Sequence, residues 1–122
     1  MNQKQKFSEL LVELKSDYLK KLPDRIQELK KTGAEKNWNL LEELYHNLKG
    51  TGKTYGLPEV SIICEIMELQ LMTEKSLNSD LAECAIQVLE SILESYQQGR
   101  SFALKDLPNS APILALKKKE KL

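Results

Sequence analysis

The sequence predicts an all-α protein in which four helices form an antiparallel up-down bundle. Apolar residues make up 41% of the chain, but only 6% is aromatic and only five residues are glycine. This composition, rich in Leu, Glu and Lys, is typical of helical bundles. Apolar residues also recur at intervals of three and four, which is the period of an α-helix. The breaks between the periodic segments are short, so successive helices should run antiparallel.

The first predicted helix carries an apolar repeat from Phe7 to Leu29. Pro23 lies within this repeat, and a proline inside a helix removes a hydrogen bond and crowds the preceding turn. We therefore expect the helix to be kinked or broken near Pro23, with this residue opening the second piece. Gly33 is expected to end the helix.

Capping residues and glycines mark the other three helices. Asn37 is a suitable N-cap for the second helix, which should run to about residue 55 and end at Gly56. Pro58 stands in the first turn of the third helix, where proline is well tolerated. Asn78 and the two polar residues after it can cap the fourth helix, and Gly99 is expected to end it.

The charge distribution separates residues 1–99, the predicted bundle, from residues 100–122. The second segment holds six basic and two acidic residues, so the first keeps 12 basic against 16 acidic ones. An acidic body does not favour nucleic acid as a partner. The prolines and the lysine-rich end predict a basic, flexible C-terminal tail, with a short docking helix around residues 113–116 as the alternative.

Cysteine usage and hydropathy limit the chemistry and the compartment. Cys64 and Cys84 fall among apolar helix residues without the close spacing of a zinc site, so both are expected to be reduced core side chains. The sequence has no apolar run of membrane-spanning length and no signal-peptide pattern, which predicts a cytoplasmic protein with no membrane partner. A monomer is expected, because the sequence shows no additional apolar surface for a dimer.

His46, the only histidine, is predicted on the exposed side of the second helix. It lies roughly 120–140° from the centre of the apolar stripe of that helix. Lys49 and Lys53 follow one and two turns later, and Gly50 lies one turn after the histidine although glycine costs a helix about 1 kcal/mol. These companions suit the approach of a large anion. They indicate a phosphorylation site and not a metal site, since one histidine cannot assemble the usual metal ligands.

Three consecutive features of the sequence resemble one known family. They are the run HNLKGTGKTYG at 46–56, the Leu-Pro-Glu at 57–59 and the Ile-Met-Glu at 66–68. Together they resemble the histidine-containing phosphotransfer (HPt) domain of bacterial multistep phosphorelays, and the resemblance extends over about residues 5–98. Two positions depart from the family pattern. Tyr45, expected in the core, replaces a residue that is commonly small, and Gly52 is smaller than the usual alanine or serine and should weaken its helix.

The resemblance implies a role for four of these residues. His46 matches the residue that accepts the phosphoryl group, and Lys49 matches the lysine that helps to neutralise it. Gly50 matches the glycine that gives the partner steric access. Glu68 stands where the family often has a glutamate or glutamine that orients the histidine through its inner ring nitrogen. Lys53 is added from helix geometry alone, as a second phosphate-stabilising cation.

The same resemblance implies a function without catalysis of its own. A phosphoaspartyl receiver domain of a response regulator or hybrid histidine kinase would transfer its phosphoryl group to His46, and a second receiver would collect it. No cofactor is expected on this chain, since magnesium belongs to the receiver in this family, and the sequence has no nucleotide-binding motif. Two alternatives remain open: a substrate domain that an ATP-dependent histidine kinase domain phosphorylates, and a helical adaptor that binds a receiver without transfer.

Overall fold

A computed structural model describes the backbone of residues 2–120 and the side chains of residues 2–117. Within this range every regular element is a helix, so the all-α prediction is confirmed. No helix in it is both long enough and apolar enough to cross a membrane. The α-helices are α1 (Gln3–Ala34), α2 (Trp38–Thr54), α3 (Pro58–Glu74), α4 (Ser79–Gln97) and α5 (Ser110–Glu120), with a 3-10 helix at Leu104–Asp106.

The predicted ends of α2 and α4 and the predicted start of α3 are confirmed. The side chains of Asn37 and Asn78 each accept a hydrogen bond from the backbone N–H three residues later, at 3.3 and 2.8 Å. Pro58 opens α3. Gly56 and Gly99 follow α2 and α4 with φ angles of +86° and +66°, a left-handed conformation that glycine adopts without strain.

The predictions for α1 need two corrections. The helix is continuous through Pro23, whose side chain is exposed, so the predicted break with Pro23 opening a second piece is wrong, whereas the kink stays a prediction. Leu22 and Ile26, on either side of the proline, are 0% and 2% exposed, and this burial against the core offsets the cost of the hydrogen bond that proline removes. Gly33 does not end α1, because it keeps a helical backbone. The chain leaves the helix at Lys36, whose φ angle is +57°.

The core lies between α1, α2, α3 and α4, and α5 adds one residue to it. α3 is apolar almost all round because it packs against α2, α4 and α5. Tyr45 is in the core, as expected. The largest fully buried side chains are Leu22, Leu29, Leu41, Tyr45, Leu57, Val60, Ile63, Met67, Leu71, Leu89, Ile92 and Ile113.

Both cysteines are free, in agreement with the prediction of reduced thiols. Cys64 is completely buried, and this burial raises the pKa of its thiol far above the usual range. The thiol therefore stays protonated and unreactive. Cys84 is only partly buried, at the edge of the core.

The segment after Gly99 differs from the flexible tail that its composition suggested. The 3-10 helix and α5 pack against the bundle, with Ser110 and Ile113 at 1% and 0% exposure. The ring of Phe102 meets the ring of Tyr96 edge-on, with 5.6 Å between centroids. Pro112 is compatible with α5 because it lies in the first turn. The alternative of a short helix here describes the structure better, although residues 121 and 122 lie outside the described range.

α2 and α3 approach each other closely at Gly52. A Cβ atom on this residue would lie 3.1 Å from the backbone oxygen of Leu57 and 3.1 Å from the backbone nitrogen of Ser61. The N–H of Leu57 donates to the carbonyl of Gly52 at 2.8 Å, and the hydroxyl of Ser61 donates to the carbonyl of Lys49. Gly52 therefore does more than weaken its helix, because the contact between the two backbones requires a residue without a side chain.

Alanine at the two glycines of α2 should have opposite effects on stability. At Gly50 a Cβ atom would meet nothing within 4 Å, so Gly50→Ala should raise the free energy of unfolding by about 0.5–1 kcal/mol through helix propensity. Gly52→Ala should lower it, because the new methyl group collides with backbone atoms that cannot rotate away. Urea denaturation of both variants measures the difference. Equal stabilisation by both would show that the close approach at Gly52 is not needed.

Candidate functional site

The exposed histidine of α2 meets a buried carboxylate of α3. The side chain of His46 is 63% exposed, whereas that of Glu68 is only 8% exposed. Nδ1 of His46 lies 2.5 Å from one carboxylate oxygen of Glu68, and Nζ of Lys49 lies 2.6 Å from the other. One carboxylate thus binds both an imidazole and an ammonium group.

The helical period of α2 explains why these groups meet. Leu41, Tyr45 and Leu48 are buried against the core and fix the rotation of the helix about its axis. This rotation turns His46 outward, as the sequence predicted, and places Lys49 one turn further at the edge of the interface with α3.

The hydrogen bond to Glu68 determines the tautomer of the neutral imidazole. An ionised carboxylate can only accept hydrogen bonds, so Nδ1 of His46 must carry the proton that it shares with Glu68. The lone pair of the neutral ring then resides on Nε2. Within residues 2–117, Nε2 has no hydrogen-bond partner. The exposed side of the imidazole therefore presents a free nucleophilic nitrogen.

The charges of the site are fixed near neutral pH. Burial alone would raise the pKa of Glu68, but the hydrogen bonds from Lys49 and His46 outweigh this effect and hold the pKa below its usual value. The hydrogen bond to Glu68 raises the pKa of Lys49, and the negative charge of Glu65 acts in the same direction. Glu68 is therefore ionised and Lys49 protonated, as a hydrogen-bonded pair requires.

The structure brings three of the five predicted site residues into contact and leaves two apart from them. His46, Lys49 and Glu68 form the hydrogen-bonded group described above. Gly50 is exposed, with open space beside its Cα atom. Lys53 is also exposed, and it makes no ion pair with any other described residue. Only its position on the same helix relates Lys53 to the imidazole.

Two features of the site were not foreseen from the sequence. One is the bond between Lys49 and Glu68, which links the lysine to α3 and not only to an incoming anion. The other is Glu65, an exposed carboxylate one turn before Glu68. The spacing of three between the two glutamates would have placed Glu65 on the same side of α3.

Two other kinds of candidate site, a metal site and a cavity, were sought among the described residues. They hold no group of three His, Cys, Asp or Glu side chains that could bind a metal ion. A cavity of about 870 Å³ opens where the end of α1, the start of α2 and the loop before α4 meet, lined by residues such as Trp38 and Leu77. None of the five predicted site residues lines it.

The fold and the site define a helical protein with one exposed, oriented histidine, and comparison with known families agrees. The model of the Hpt domain family matches residues 13–99, which is more than half of the chain. The chain therefore belongs to the Hpt domain family. Hpt domains are phosphocarriers, not enzymes; they act in the phosphorelays of two-component signalling and interact with receiver domains. Comparison with curated proteins gave no match, and neither did comparison with solved structures.

The hydrogen bonds from Lys49 and His46 to Glu68 should make the free energy of unfolding decrease at low pH. Because the pKa of Glu68 is lowered by folding, its contribution is present above the unfolded value of about 4.3 and is lost as the pH falls through the lower folded value. The stability difference between wild type and Glu68→Gln should therefore shrink from pH 6 towards pH 3. Urea denaturation at several pH values measures it. A difference that stays constant over this range would contradict the ionised pair.

Proposed function

We propose that this chain accepts a phosphoryl group on His46 from the phosphoaspartate of a receiver domain and passes it to a second receiver. The observation that carries this proposal is that the two ring nitrogens of His46 have different surroundings. Nδ1 is bonded to buried Glu68, and Nε2 belongs to a ring that is 63% exposed. An imidazole in this state is oriented, and its reactive lone pair is accessible to a docked partner.

The transfer follows from the tautomer. The lone pair of Nε2 attacks the phosphorus atom of the acyl phosphate, the bond between phosphorus and the aspartate oxygen breaks, and the receiver regains its carboxylate. Nε2 carries no proton in this tautomer, so none has to be removed before attack. Positive charge develops on the ring as the N–P bond forms, and Glu68 stabilises this charge through Nδ1–H. The reverse steps deliver the group to the second receiver.

The two lysines of α2 provide positive charge near the phosphoryl group. Lys49 is one turn from His46 and only partly exposed, so its charge acts at short range although it also binds Glu68. Lys53 is a further turn away and free to reach an anion from the exposed side of the helix. In this proposal Lys49 neutralises the phosphoryl group directly, and Lys53 adds to the field that attracts it.

Gly50 gives the receiver access to the imidazole. It lies on the exposed surface one turn from His46, and a Cβ atom added to it would meet nothing within 4 Å. The fold itself thus has no need for a glycine here, and the residue lowers the helix propensity of α2. In this proposal the missing side chain makes room for the partner.

The proposal also includes the helix topology, the cofactors, the partners and the compartment. The four long helices run up and down around the core, magnesium is supplied by the receiver, and this chain neither binds ATP nor needs a cofactor. The partners are receivers, including that of a hybrid histidine kinase. Transfer takes place in the cytoplasm, where ATP maintains phosphorylated receivers. One copy of the chain is sufficient for it, since His46, Lys49 and Glu68 all belong to the same chain.

The decisive experiment is phosphate labelling of wild type and His46→Gln with a phosphorylated receiver and magnesium. Wild type should take up label that is labile in acid and stable in base, and His46→Gln should take up none while retaining its helical circular dichroism. Label on His46→Gln would refute the assignment. Label only from a kinase domain with ATP would favour the substrate domain, and no label from either donor would favour the adaptor.

Glutamine at Gly50 should slow transfer without unfolding the protein. The new side chain projects into open space on the chain's own surface, so stability should not decrease. The same side chain would occupy the surface on which the receiver docks, and the rate of transfer from the receiver should fall at least about tenfold. Gly50→Ala is the matched control, with a much smaller loss. Unchanged transfer in Gly50→Gln would contradict the steric role of this glycine.

A further inference from the structure

α1 extends well beyond the helices that it packs against. It spans about 48 Å, compared with about 26 Å for α2. The hydroxyls of Tyr18 and Thr51 lie 3.0 Å apart, which aligns residue 18 of α1 with the last turn of α2. Every residue from 2 to 13 is exposed. Residues 3–17, about 22 Å of helix that touches the bundle only in its last turn, are called the overhang below.

The overhang carries an apolar stripe that the described chain leaves largely uncovered. Phe7, Leu10 and Leu11 are 62%, 48% and 46% exposed, and Leu14 is partly buried. Their spacing of three, four and seven residues places them on one side of the helix. A helix of this length is only marginally stable in water without tertiary contacts, and a contiguous exposed apolar stripe is typical of an interaction surface.

We propose that the overhang of a second copy of this chain covers the stripe, with the two helices antiparallel. When the pair is centred between Leu10 and Leu11, Leu10 of each copy faces Leu11 of the other. Phe7 of one copy then faces Leu14 of the other. The same surface serves both copies, as a two-fold axis requires, and the two bundles lie at opposite ends of the pair.

The charges beside the stripe favour the antiparallel direction. Lys6, Glu13 and Asp17 lie on the same edge of the stripe, and none of them forms an ion pair within the described chain. In an antiparallel two-fold pair identical edges meet. Lys6 of one copy then lies opposite the interval between Glu13 and Asp17 of the other, and symmetry forms this contact twice.

A parallel pair would be less favourable. Opposite edges of the stripe meet in that arrangement, which brings Lys4 of one copy next to Lys6 of the other. It would also place both bundles at the same end of the two overhangs. The antiparallel pair avoids the crowding and the contact between Lys4 and Lys6. Lys15, the other lysine on the Lys4 edge, holds its ammonium group 4.8 Å from the centre of the Tyr96 ring of its own copy.

The proposed dimer revises the expectation of a monomer. That expectation came from the absence of a separate apolar surface in the sequence, and the overhang stripe is such a surface. It was hidden because the same repeat continues into the buried residues Tyr18, Leu22 and Ile26. The contact is small for a specific interface, so the dissociation constant should be on the order of 10 µM.

The test is sedimentation velocity of the full chain from roughly 1 to 200 µM. Wild type should shift from monomer to dimer over this range. The double variant Leu10→Gln with Leu11→Gln should weaken the dimer at least about a hundredfold, because four leucines leave the interface. The matched control is Val12→Gln, since Val12 is 70% exposed on the other side of the same helix. This control should dimerise like wild type.

A charge exchange tests the direction of the pair. Lys6→Glu alone should weaken the dimer roughly tenfold, and so should Glu13→Lys combined with Asp17→Lys. The triple variant should recover the wild-type constant, because the antiparallel contact is restored with its signs reversed. A parallel pair predicts the opposite for Lys6→Glu, which would then become favourable beside Lys4.

Three results would overturn the proposal: a wild type that stays monomeric over the whole range, a dimer that survives the leucine substitutions, or equal loss with Val12→Gln. Circular dichroism confirms that each variant is folded. Phosphate labelling of His46 is independent of this test, because the overhang contains no site residue. The leucine variants should still be labelled by a phosphorylated receiver if the proposed function holds.

Discussion

The carboxylate of Glu68 is the group on which the site depends. It is nearly excluded from water, and a buried charge without partners would be costly. Two hydrogen bonds, from Lys49 and His46, compensate this cost, and both come from α2. The electrostatic requirement of one residue of α3 thus orients the histidine and fixes its tautomer. The reactivity of the exposed nitrogen is a consequence of how the fold satisfies its buried charge.

Much of the fold could be predicted because local interactions determine it. The caps Asn37 and Asn78, and the glycines after α2 and α4, act within a few residues of their own position. The outward direction of His46 follows from the period of a single helix. The prediction of its contact with Glu68 came from the family resemblance, since no local rule relates two residues that lie 22 positions apart on different helices.

The features that could not be predicted depend on where distant segments meet. The apolar repeat of α1 looked uniform, but only its later part is covered by the bundle. Pro23 suggested a break because its cost is local, whereas the packing that overcomes this cost is not. The segment after Gly99 has the composition of a tail, yet the side chain of Ile113 reaches the core. Burial of a single isoleucine leaves almost no trace in average composition.

The contact at Gly52 has a mechanical consequence for the histidine. α2 and α3 touch backbone to backbone there, so this glycine sets how far one helix can slide along the other. The bond between His46 and Glu68 joins the same two helices almost two turns away, and a hydrogen bond tolerates only a few tenths of an ångström of displacement. The close contact at Gly52 therefore fixes the position of α2 relative to α3 along the helix axes. The orientation of the imidazole thus depends on the missing Cβ atom of Gly52, a residue outside the site.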